Sequence, residues 1–311
     1  MNAPAPLAVI GAGLIGAGWA ALFALRGHAV RVADPAPGAR RLVLDTLEAA
    51  RPVMAALGQL AAHPTVPEVV AEVDTAVAGA ALVQEALPED LALKHRVYAR
   101  IEAAVAADVP IASSSSGLLP SALQRGMRHP QRLLVAHPCN PPYLMPVVEL
   151  VGGDATAPAV LDRADAFYRS LGKRTVRLQR EITGHLINRL QAALWREAVH
   201  LVAEGYAGVA DVDRAVTEGL GARWTVCGPH EIFHLAGGAD GMAGFLDRLG
   251  PAVEAWWDTL GAPTLDAATR ARLIDGMNAA AAGRTVGELA AERDRRMLAL
   301  LAPAPSTTTD R

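Results

Sequence analysis

At 311 residues, 51% of them apolar and 20% charged, the chain is long enough for two domains and can bury a sizeable core. A net charge of −3 supplies no basic field for nucleic acid or an anionic membrane surface, so neither is expected as a partner. The 2 cysteines, Cys139 and Cys227, are too few for a disulfide framework and lack zinc-ligand spacing, so a reducing cytoplasm and no metal are expected.

In chain order, the uncharged stretch from Leu7 to Leu25 has the length of a membrane helix or a signal sequence. Gly11, Gly13, Gly16 and Gly18, and the lack of Lys or Arg in MNAPAP, argue against both. LAVIGAG reads as a strand entering a glycine turn, LIGAGWAALFALRG as a helix closed at Gly27, and AVRVAD as a second strand ending at Asp34. From Pro35 to about Ala78 the pattern is helical but broken around HPTVPE, which predicts a helical hairpin.

LVQEAL, VPIASSS, LLVAHP and VVELV are further strand-length apolar runs. PEDLALKHRVYARIEAA reads as a helix between the first two, with acidic residues in its first turn. This alternation predicts an α/β fold, a Rossmann-type doubly wound sheet over residues 1–181. Residues 182–303 read as an all-helical domain, opened by HLINRLQAALWREAVHLVAEG and closed by RTVGELAAERDRRMLALLA. Residues 304–311 read as a disordered tail.

Gly11, Gly13 and Gly16 form G-x-G-x-x-G between a strand and a helix, the context in which the pattern binds a dinucleotide. Pyrophosphate is expected on the helix N-terminus at Leu14, Ile15 and Gly16. Asp34, at the end of the second strand, suits the ribose hydroxyls and would repel a 2′-phosphate. NAD is therefore the expected cofactor, although Arg40 and Arg41 keep NADP in play. His137 falls at a strand end, where an open α/β sheet presents its ligand crevice, and is a candidate acid/base.

GAGLIGAG, the Ser113 to Ser116 run, AHPCNPP, VVELV and GHLINRL, in that order, resemble the 3-hydroxyacyl-CoA dehydrogenase superfamily. AHPCNPPYLMPVVELV, EGLGARW and HLAGGADGM resemble most the branch containing L-gulonate 3-dehydrogenase (lambda-crystallin) and L-carnitine dehydrogenase. The resemblance implies His137 as acid/base, Glu149 as the carboxylate that orients it, and Ser116 and Asn188 as groups on the reacting oxygen. The serine register is open by one position, and without the resemblance Glu149 reads first as a strand-edge charge. Glu89 and Lys94 match positions near the cofactor, and otherwise read as a surface pair. Trp224 matches an aromatic toward the substrate and otherwise reads as a core residue, while Arg223 is a candidate for a substrate carboxylate.

In relatives that use CoA, basic residues on the hairpin after the second strand help hold its nucleotide, whereas no Lys occurs here from Pro35 to Leu93. A free hydroxy acid is therefore expected, gulonate slightly ahead of carnitine, with a 3-hydroxyacyl-CoA dehydrogenase or a catalytically silent crystallin-like protein as alternatives. The resemblance also implies a homodimer.

Overall fold

The computed structural model describes residues 5–302, so the tail expected at 304–311 lies outside the described residues. One sheet runs in the order β3-β2-β1-β4-β5-β6-β7-β8. Its strands are β1 (Leu7–Ile10), β2 (Val30–Ala33), β3 (Glu68–Val70), β4 (Leu82–Glu85), β5 (Ile111–Ser113), β6 (Leu133–Pro138), β7 (Val147–Gly152) and β8 (Arg174–Arg177). Neighbours are parallel except β6 and β7. The intervening helices are α1 (Leu14–Leu25), α2 (Ala39–Ala56), α3 (Val73–Val77), α4 (Leu91–Ala104), α5 (Pro120–Leu123) and α6 (Pro158–Ser170).

Successive strand side chains enter opposite cores, which is why the strands read as continuous apolar runs. Leu7 and Val9 join a cluster with Trp19, Val43 and Tyr168, whereas Ala8 and Ile10 join one with Val77, Tyr98 and Leu123. From Gly16 to Leu25 every residue of α1 is buried, which accounts for the uncharged stretch. Among the described residues no helix is long and apolar enough to cross a membrane.

The expected helical hairpin is absent. α2 continues through Pro52, and VPEVV supplies β3, an edge strand beside β2. The loop between them is ordered by α1, whose terminal carbonyls at Ala24 and Leu25 accept from the N–H groups of Thr65 and Ala61. At α4 the acid is a cap rather than a first-turn residue, because the Asp90 side chain accepts from the Leu93 N–H at 2.9 Å.

After β8 the chain is helical: α7 (Ile187–Ala203), α8 (Val209–Arg214), a π-helical segment (Ala215–Gly221), α9 (Ala222–Trp224), α10 (Pro229–Ala236), α11 (Gly241–Trp257), α12 (Ala267–Ala281) and α13 (Val286–Leu301). Two compact units result. One runs to Arg189 and takes back the chain from Ala291; the other is Leu190–Ala290. The second has a small core of its own around Val202, Val209 and Val212.

Candidate active site

β1 and β4 are adjacent while their connections leave in opposite directions, and the glycine loop lies at this switch point. Gly11 has φ +96°, and a Cβ there would meet the Ala86 carbonyl oxygen at 2.7 Å. A Cβ on Gly16 would lie 1.9 Å from the Gly11 carbonyl oxygen, so helix and loop pack as they do only with glycine. At Gly13 a Cβ would meet nothing within 4 Å, which leaves the backbone open to a phosphate. Leu14 and Ile15 begin α1, where free N–H groups and the helix dipole favour an anion. Asp34 accepts from the Ala12 N–H at 2.7 Å and the Ala36 N–H at 2.8 Å, so it braces the loop it borders. These residues fit a dinucleotide.

His137 and Glu149 face each other directly in the antiparallel register of β6 and β7. His137 Nδ1 lies 2.7 Å from Glu149 Oε2, and Glu149 is fully buried. The other oxygen, Oε1, accepts from the N–H groups of Leu186 at 2.8 Å and Ile187 at 3.0 Å, where α7 begins. Burial pushes the Glu149 carboxyl up, but the hydrogen bonds from His137, Ile187 and Leu186 outweigh it and hold the group below its ordinary value. An ionised Glu149 accepts a hydrogen bond from the Nδ1–H of His137, which leaves Nε2 as the base. Asn188, half-buried, follows Ile187 directly.

The serine run is divided by use. Ser113 Oγ donates to Glu85 at 2.6 Å; Ser114 Oγ accepts from Trp19 Nε1 at 3.1 Å and Gln84 Nε2 at 2.9 Å; Ser115 Oγ donates to Glu89 at 2.7 Å. Only Ser116 of the four is exposed. Its N–H and that of Gly117 donate to Glu89, whose carboxylate thereby shapes this loop.

Glu89 and Lys94 are not a surface pair, and they do not bond each other. Lys94 is wholly buried and donates to Glu85 Oε1 at 2.6 Å and to the Leu87 carbonyl at 3.1 Å. Glu85 also accepts from Tyr98 and from the Leu87 N–H, both at 2.6 Å. Removing one partner from a buried pair of this kind costs about 3–5 kcal/mol. Lys94 thus stands in the wall of the site, with no atom presented to a cofactor. The other lysine, Lys173, is also buried; it donates to the carbonyls of Pro142 and Met145 and so pins the loop between β6 and β7. Burial pulls its ammonium down to about 8.

Sequence reasoning missed His185. It is fully buried, its ring centroid lies 5.3 Å from that of His137, and its Nε2 lies 3.0 Å from the Ser115 carbonyl. Its place between Gly184 and the Glu149-binding N–H groups is the one sign the sequence offers.

Residues 6–182 match the family model "3-hydroxyacyl-CoA dehydrogenase, NAD binding domain", and residues 184–272 match "3-hydroxyacyl-CoA dehydrogenase, C-terminal domain". The chain belongs to the 3-hydroxyacyl-CoA dehydrogenase family. Like the family it is an NAD-dependent oxidoreductase, and its expected fold class and cofactor stand. Over 296 residues it is 46% identical to the L-carnitine dehydrogenase of Streptomyces griseus, covering 95% of this chain and 88% of that one. Over 296 residues it is 41% identical to the L-carnitine dehydrogenase of Pseudomonas aeruginosa, covering 94% and 92%. Among solved structures it resembles the NAD+ dependent dismutase 5-formyl-3-hydroxy-2-methylpyridine 4-carboxylic acid 5-dehydrogenase, with TM-score 0.81, 29% identity, and coverage of 95% and 96%.

Within the second unit, Trp224 is 42% exposed and lines a cavity of about 410 Å³ with Leu190, Gln191, Leu194, Gly228 and Pro229. Trp224 is therefore not a core residue. Arg223 precedes it on α9 and is exposed.

Proposed function

We propose that this family member oxidises the 3-hydroxyl of L-carnitine with NAD. The observation that carries the substrate is similarity along nearly the whole chain to several L-carnitine dehydrogenases, at 46% identity to that of Streptomyces griseus. This reverses the slight preference for gulonate drawn from the motifs. The absence of the hairpin after β2 weighs against a CoA thioester, because α2 alone offers no second helix to clasp a nucleotide. The solved relative whose name specifies a carboxylic acid points to a free acid in the same way.

His137 Nε2 takes the proton of the substrate hydroxyl, and Glu149, held by its two backbone N–H groups and the start of α7, stabilises the imidazolium that forms. The exposed Ser116 hydroxyl and the Asn188 amide hold the reacting oxygen. Gly11, Gly13, Leu14, Ile15, Gly16 and Asp34 would hold NAD, which would supply the hydride acceptor for the carbon that bears the substrate hydroxyl. Glu89 supports the cofactor side by shaping the serine loop, and Lys94 supports it through Glu85. Within the helical unit, Trp224 and Arg223 are the groups whose chemistry suits a trimethylammonium and a carboxylate. The intact set of His137, Glu149, Ser116 and Asn188 weighs against a silent crystallin-like role. We further infer a cytoplasmic homodimer that pairs through its helical unit.

Nicotinamide absorbance followed with L-carnitine, L-gulonate, 3-hydroxybutyrate and 3-hydroxybutyryl-CoA tests the substrate. The highest kcat/KM is expected on L-carnitine. Turnover confined to gulonate or to the thioester would reject it.

A further inference from the structure

Three observations meet at His185. Its side chain is fully buried beside His137, its Nε2 is within hydrogen-bond distance of the Ser115 carbonyl, and its Nδ1 is buried with no hydrogen-bond partner among the described residues. Its φ of +51° belongs to the left-handed region, which few residues other than glycine adopt. The residues on its C-terminal side, Leu186 and Ile187, give their N–H groups to Glu149, and the loop it reaches carries Ser116. A carbonyl oxygen only accepts, so Nε2 carries the proton and Nδ1 is a bare lone pair.

We propose that His185 is a positioning residue, a neutral cross-brace that sets the distance between the serine loop and the His137–Glu149 pair. One hydrogen bond joins the segment that holds Glu149 to the segment that presents Ser116. A second proton on this ring would have no acceptor at Nδ1 and would put a cation against the imidazolium that His137 becomes during oxidation. His137 is thereby left as the imidazole that receives the substrate proton. Burial pulls His185 down from its ordinary value, the Ser115 carbonyl opposes that, and His137 adds to it; the carboxylates facing the ring are Glu149 and Glu89.

The proposal rests on the dehydrogenase reading but not on which hydroxy acid is the substrate, so any acid that the wild type oxidises serves for the test. His185→Phe keeps a ring and loses the donor, whereas His185→Gln can place an N–H where Nε2 stood. His185→Phe should lower kcat roughly ten- to a hundredfold with KM for NAD little changed, since small misplacements of reacting groups cost this much. His185→Gln should recover most of the loss. Nitrogen NMR of the wild type should show a protonated Nε2 and an unprotonated Nδ1 on His185 that stay so while exposed histidines titrate. Wild-type kcat in His185→Phe, no recovery in a folded His185→Gln, or titration of His185 with the exposed histidines would each overturn the cross-brace. If His185→Phe does not fold, His185→Gln and the NMR measurement still decide. A wild type that oxidises none of the hydroxy acids tried instead rejects the dehydrogenase reading, while the NMR signature still reports on the brace.

Discussion

Antiparallel register makes Glu149 the partner of His137: the two residues are directly opposite on β6 and β7, with the hydrogen bond at 2.7 Å. The family resemblance implied the pair, and the β6–β7 hairpin is what brings its two members together. The carboxylate also receives two N–H groups, so Glu149→Gln should leave most of the packing while removing the charge that stabilises a protonated His137. A fall in kcat of roughly 10²- to 10⁴-fold is expected, with NAD binding by fluorescence titration near that of the wild type. Unchanged kcat would sink the role. Stability adds a second readout. Because the folded value of Glu149 lies below its ordinary 4.5, its contribution is present above that pH and is lost as pH falls through the folded value. The gap in Tm between wild type and variant should therefore narrow on acidification. At this scale the sequence leaves the serine register open by one position; burial and hydrogen bonding set Ser116 apart from Ser113, Ser114 and Ser115.

Among elements, the interior strands were legible because both of their faces are buried, whereas the two edge strands were not. VPEVV of β3 follows a proline within a polar loop, and RTVR of β8 is largely exposed, so neither carries a clear apolar signal. The β6–β7 reversal was readable in principle, since residues 139–146 are too few for a parallel crossover, which takes about a dozen. The end of β2 carries the proposed preference for NAD. Asp34 borders the glycine loop and already bonds Ala12, so its replacement loosens the loop as well as removing the carboxylate proposed to face the ribose. Asp34→Ser should lower kcat/KM for NAD by roughly 10- to 100-fold, the worth of a charge-assisted hydrogen bond, and narrow the preference over NADP. An unaltered NAD to NADP ratio would remove Asp34 from the cofactor site.

On the scale of the whole molecule, the helical unit leaves much apolar surface uncovered. Trp195, Trp256, Trp257, Leu235 and Leu246 are each more than half exposed, against a core of Val202, Val209 and Val212. Taking one half-exposed side chain of this size fully out of water is worth about 1 kcal/mol, so a handful of them supports a stable interface. Sedimentation velocity should give twice the chain mass of 32.4 kDa, and a monomer at micromolar concentration would rule out the pairing.

The burial of Lys94 and Lys173 has a consequence of another kind. They are the chain's only lysines, so the folded surface between its ends presents no primary amine to an acylating reagent, and its cations are arginines. Acylation of Lys94 requires the C-terminal end of β4 at Glu85 to open, and that of Lys173 requires release of the loop between β6 and β7. The two sites thus act as separate built-in reporters of local unfolding, readable by mass in a protein that needs no label added to it.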